Sequence, residues 1–187
     1  TTLGDPANPG EIPVEGIYMS WDTEEGDLSV TTAYPGDALL SLTAEVRSAP
    51  QWFTLNLVLG EAELEAGDTV GLVLDSHASP ASNLDIFIRS SEGEAFEDTP
   101  LDRPAEMRAR RSTGSMVHEV QPYSAMAGSG KFHTLIIPLP SHDVSLTLFD
   151  LRLFVLPKGS APATIIEGSV AELIEDRATQ QDVLSEA

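Results

Sequence analysis

Apolar residues recur at every second position over most of this chain, the period of β-strands with one buried face. From Trp52 to Leu59, Phe53, Leu55, Leu57 and Leu59 share one face, and Trp52, Thr54, Asn56 and Val58 share the other. A turn at Ala66-Gly67-Asp68 leads into Val70, Leu72 and Leu74, with Asp75 on the opposite face; further on, Leu84, Ile86 and Ile88 lie opposite Asp85, Phe87 and Arg89. Three successive strands are therefore expected between Trp52 and Ser90. If they share a sheet, Trp52, Asn56, Asp75, Phe87 and Arg89 come onto one surface, and that surface is the candidate binding site.

The same period continues on both sides. Leu40, Leu42, Ala44 and Val46 alternate with Ser41, Thr43, Glu45 and Arg47, the pattern of a sheet with one wet face. Residues 28–32, 116–120, 132–139 and 144–156 also read as strands, and a change of parity at Phe149-Asp150 predicts a bulge. Ile17 to Trp21 reads as a short edge strand whose Tyr18 and Trp21 are expected to pack under a loop. The proline-rich and glycine-rich residues 1–16 are expected to form an extended arm. The acidic run Asp22, Glu24, Glu25 and Asp27 reads as a solvated turn, with a metal loop as the alternative. Residues 91–115 lack strand periodicity and read as a long loop with a short helical turn at 105–111. This loop carries Arg103, Arg108, Arg110 and Arg111, read as internal ion-pair partners or as an anion-binding patch. At the C-terminus the period becomes helical: Ile166, Val170, Leu173, Ile174 and Arg177 recur around a capping box at Ser169 to Glu172. A helix over about 170–184 follows from that pattern.

At 187 residues the chain suits one sandwich, and we expect residues 1–165 to form it and 166–187 to be a helical appendage. The expected fold is all-β: a jelly-roll β-sandwich of two antiparallel sheets with a C-terminal α-helix. A hydrophobic content of 41% sets the chain apart from acidic disordered proteins, and no apolar run approaches the roughly 20 residues that cross a bilayer. The formal charge of −20 is uneven: residues 1–102 hold 20 acids against 2 arginines, and residues 103–187 hold 10 acids against 8 bases. Such an acidic body repels phosphate backbones and anionic lipid, so neither nucleic acid nor membrane insertion is expected. Without cysteine, disulfides, thiolate metal sites and cysteine nucleophiles are excluded. The chain begins at Thr1 with no charged segment and short apolar core, so any export signal is expected to be missing or already removed. A secreted, periplasmic or cell-surface setting is favoured over a cytoplasmic one.

Motifs for chemistry are sparse. His77, His118, His133 and His142 stand singly, without ligand spacing. Neither a Gly-x-Ser-x-Gly elbow nor a phosphate-cradling loop before a helix is present. No catalytic residue is assigned. The enzyme alternative is a jelly-roll polysaccharide lyase or glycoside hydrolase using His118, Tyr123 and arginines, since residues 117–123 supply some of those residue types.

The runs Trp52-Phe53-Thr54-Leu55-Asn56-Leu57 and Leu64 to Ser79 resemble the jelly-roll carbohydrate-binding modules of the galactose-binding-like type. Lys131 to Leu135 and Asp150 to Leu153 look like the closing strands, although Val70 or Gly71 stands where those modules carry an aromatic. The resemblance covers residues 28–157. It implies a bacterial module that binds polysaccharide along a concave sheet without catalysis, often with a structural calcium on the convex side. Trp52 and Phe87 would stack on sugar rings, and Asn56 and Arg89 would meet hydroxyls. Asp75, His118 and Tyr123 complete the candidate ligand-binding set. A third reading is a structural or assembly protein in which the C-terminal helix joins a homo-oligomer or a larger parent protein.

Overall fold

A computed structural model of the chain describes Thr2, Leu3 and residues 16–160. The alternation resolves there into β1 (Thr2–Leu3), β2 (Ile17–Trp21), β3 (Asp27–Ala33), β4 (Leu40–Ser48), β5 (Phe53–Glu61), β6 (Thr69–Ser79), β7 (Ser82–Leu84), β8 (Phe87–Glu92), β9 (Ala95–Pro100), β10 (Ala105–Met107), β11 (Ser112–Glu119), β12 (Phe132–Pro138) and β13 (Val144–Leu156). One antiparallel sheet runs β1-β3-β4-β13-β6-β11 and the other β2-β5-β12-β8-β9, while β7 and β10 form a small ribbon. The chain crosses repeatedly between the two sheets, so the inward residues of both fill a single core. Met19, Phe53, Leu55, Ile88, Leu135 and Ile137 come from the five-stranded sheet, and Val30, Leu42, Leu72, Met116 and Leu146 from the six-stranded one. Trp21 meets Phe53 edge-on, with centroids 6.3 Å apart and an interplanar angle of 89°.

The all-β sandwich follows the alternation closely. Ile17 to Trp21 forms the expected edge strand, and the parity change in β13 is a bulge between Leu148 and Asp150. Three expectations need correction. The strands between Trp52 and Ser90 do not share a sheet: β5 and β8 lie in the five-stranded sheet with β12 between them, and β6 lies in the six-stranded sheet. Period two assigns a side chain to the inner or outer face of a strand, but it carries no information about which sheet the strand joins. Residues 91–115 are not a loop, because β9, β10 and the start of β11 fall within them. β9 is an edge strand with nearly every residue exposed, so no apolar alternation marks it. Ala105 to Met107 is a strand paired with β7 rather than a helical turn. The expected C-terminal helix and the 165/166 boundary lie outside the described residues.

Gly71 marks a close approach in the six-stranded sheet. A Cβ there would lie 2.1–2.6 Å from the Phe154 ring, so only glycine lets that ring lie across β6.

Candidate functional site

The outer face of the five-stranded sheet is ordered by its register. One row crosses all five strands: Tyr18, Asn56, Ile136, Phe87 and Pro100. Next to it run Val58, Thr134, Arg89 and Asp98, then Phe132, Ser91 and Phe96. On the other side, Ser20, Thr54 and Pro138 continue toward Trp52. Opposite residues of an antiparallel pair share a face, so these rows form one surface. Large side chains stay open to solvent along it: Tyr18, Val58, Phe96 and Phe132 are exposed and Trp52 is 49% exposed, while Phe87 is half-buried. At the end of the face, Phe87, Asp98, Pro100, Pro138 and His142 border a depression of about 690 Å³.

The centre of this surface is fixed by its own hydrogen bonds. Asn56 is only 2% exposed, and its amide donates to the Ser20 hydroxyl at 2.9 Å, the Thr54 hydroxyl at 3.2 Å and the Tyr18 carbonyl at 3.4 Å. Ser20 and Thr54 are 3.0 Å apart. Asn56 therefore holds two hydroxyls in place on the floor instead of reaching upward with a free amide.

Arg89 is held on two sides. Its Nε and Nη2 each donate to Asp98 at 2.8 Å, and the guanidinium carbon lies 4.2 Å from the centre of the Phe96 ring. The Asp98 hydrogen bonds raise the guanidinium pKa further above its ordinary range, burial opposes this, and the Tyr18 phenol adds to the rise. Arg89 is the single lysine or arginine on these five strands.

Four of the predicted site residues thus share one region: Trp52, Asn56, Phe87 and Arg89. The other three do not join them. Asp75 points outward from the six-stranded sheet, where it accepts from Arg111 at 2.8–3.2 Å, and the Arg111 guanidinium carbon lies 3.9 Å from the centre of the Phe149 ring. His118 lies on β11 of that same sheet with its Nδ1 2.8 Å from Asp102, and its Nε2 is buried without a partner among the described residues. Tyr123 stands fully exposed in the β11–β12 connection with φ 71°, a left-handed conformation uncommon for a bulky side chain. Asp75 faces outward on β6, whereas His118 pairs with the buried Val70 and shares the inward parity of Met116, and both strands belong to the opposite layer. His118, on β11 of the six-stranded sheet, is thus separated from Arg89, on β8 of the five-stranded sheet.

Tyr18, Phe96, Asp98 and Phe132 belong to the face but fell outside the predicted set. Tyr18 was expected to pack, as Trp21 does, and it does not because its edge strand turns it outward. Phe96 and Asp98 sat in an apparent loop. The one sequence clue was Phe-x-Asp-x-Pro, an alternation too polar to be recognised as a strand.

Among the described residues, no group of three or more His, Asp or Glu side chains comes together. In the acidic turn, Asp22 accepts the backbone N–H groups of Glu24 at 3.0 Å and of Glu25 and Gln51 at 3.4 Å, so its carboxylate closes the turn itself. Three of the four clustered arginines are engaged within the protein: Arg103 with the Ser115 carbonyl, Arg108 with Glu106, and Arg111 with Asp75 and Asp37.

No protein-family profile matches the sequence, and no curated protein matches it either. Solved structures do share its architecture. The carbohydrate-binding module CBM4 superposes with a TM-score of 0.54 at 15% identity, over 76% of this chain and 96% of that one. The family 11 carbohydrate-binding module from Clostridium thermocellum, solved with a β-1,3-1,4-mixed-linked tetrasaccharide, gives 0.51 at 8% identity, over 75% of this chain and 89% of that one. The fold is that of the jelly-roll carbohydrate-binding modules. At such identities the likeness concerns the fold, and the argument for a ligand has to come from the face described above.

Proposed function

We propose that this protein is a non-catalytic carbohydrate-binding module that holds a polysaccharide chain along the outer face of its five-stranded sheet. The observation that carries this reading is the gathering of Tyr18, Trp52, Phe87, Phe96 and Phe132 on that one face, which also carries the fixed hydroxyls of Ser20 and Thr54. Five of the chain's 11 aromatic residues lie there, in a protein where aromatics make up only 6% of residues. Flat rings accept the C–H faces of sugars, and hydroxyl, amide and guanidinium groups meet their O–H groups. The mixed-linked tetrasaccharide bound by the family 11 module supports a neutral β-glucan as the first ligand to try. A secreted, periplasmic or cell-surface setting, where such chains are met, goes with this function, as does attachment to a larger polysaccharide-processing protein through residues 166–187.

Isothermal titration with mixed-linked β-glucan, xylan and mannan oligosaccharides tests the proposal. Binding of at least one of them, lost on Trp52→Ala or Phe87→Ala while chain length of the sugar stays unchanged, is the expected result. Absence of binding to a wide glycan array by the folded protein would sink it.

A further inference from the structure

We infer that Asp98 sets the charge selectivity of this face, making it one that excludes carboxylated glycans; the inference rests on the glycan-binding reading above. Uronate-containing chains are recognised by free cations, arginine above all, because its planar fork matches a carboxylate. Arg89 is the single such group on the five strands, and it stands in the row between Phe87 and Phe96. Its fork is already occupied. Both contacts to Asp98 are 2.8 Å, so an internal carboxylate takes the place that a sugar carboxylate would take. Side-chain exposures of 37% and 35% leave the pair open to a ligand, so Asp98 does not hide Arg89 but neutralises it in place. The adjoining depression is lined by Asp85, Asp98 and His142 and by no lysine or arginine, so a uronate lying there meets no permanent positive charge. The remaining N–H groups of Arg89 can still donate to neutral hydroxyls, held in direction by Asp98 and by the Phe96 ring at 4.2 Å.

Replacing Asp98 by Asn keeps the shape of the side chain and removes its charge. Phe96 retains the guanidinium on the face, and the fork becomes a carboxylate receptor. The test uses a mixed-linked β-glucan oligosaccharide and the same oligosaccharide oxidised at C6 to the uronate, titrated against wild type, Asp98→Asn, and Asp98→Asn combined with Arg89→Met. Wild type should bind the neutral chain and reject the oxidised one. Asp98→Asn should gain about tenfold in affinity for the oxidised chain, as expected for a charge-assisted hydrogen bond. That gain should disappear in the double variant and at high salt. Equal binding of both chains by wild type, or no gain in Asp98→Asn, overturns the selectivity role while leaving glycan binding intact. Failure of the folded wild type to bind any glycan removes the glycan reading and this inference together.

Discussion

The amide of Asn56 lies 2.9 Å from the Ser20 hydroxyl, joining the second strand of the five-stranded sheet to its edge strand through side chains as well as backbone. Because Asn56 is buried on the outward face, this contact makes the floor of the candidate groove a rigid polar layer. Asn56→Ala leaves Ser20 and Thr54 without their shared donor and should cost about 1–2 kcal/mol in urea denaturation. Glycan affinity should fall as well, and Asn56→Asp, which reverses the donor pattern, should be no better. Unchanged stability in both variants would remove this role.

Trp52 and Trp21 should separate binding from folding. Trp21 is buried against Phe53, and its replacement by Ala should lower stability by about 3–5 kcal/mol. Trp52 is half open to water, so Trp52→Ala should leave stability nearly unchanged yet weaken glycan binding by about tenfold or more. Thermal melts and titration on the same two variants check the contrast.

Gly71 should not tolerate a methyl group. In Gly71→Ala the new Cβ meets the Phe154 ring at 2.1–2.6 Å, and moving the ring should cost about 1–3 kcal/mol. The double variant Gly71→Ala/Phe154→Leu should recover part of that loss, because the two positions are directly coupled. Additive losses in a double-mutant cycle would contradict the contact.

His133 gives stability a pH dependence of known sign. Burial pushes its imidazole below the ordinary 6.5; the hydrogen bond to the Ala62 carbonyl opposes this, and the Lys131 charge adds to the lowering. Nδ1 lies 3.0 Å from the Ser90 hydroxyl and Nε2 lies 3.3 Å from the Ala62 oxygen, an arrangement that suits the neutral ring. The unfolded chain takes up the proton near pH 6.5 and the folded protein only at lower pH, so this contribution is complete above pH 6.5 and is lost as pH falls toward the lowered folded value. Chemical denaturation of wild type and His133→Gln between pH 7.5 and 5 should show the steeper decline in wild type, the difference staying within about 1.4 kcal/mol per pH unit for a single proton. Parallel profiles would exclude His133 as the source.

The alternation of apolar and polar positions determined which side of the central strands is core. Phe53 and Leu55 are buried and Trp52 is open, as their parity requires, and the shift of parity at Phe149-Asp150 appears as a bulge. Inner and outer faces are local properties, written into the chain every two residues. What no local pattern contains is partnership. Asp75 and Arg89 both stand on outward faces, yet they lie on opposite layers because β6 pairs with β13 and β11, while β8 pairs with β12 and β9. Phe96 and Asp98 enter the candidate site because an edge strand with neither face well covered can be polar throughout and still pair through its backbone. The fold class and the Trp52 face were thus decided by sequence alone. The cluster around Arg89, with Asp98 closing its fork and Phe96 supporting its plane, was decided by long-range strand pairing.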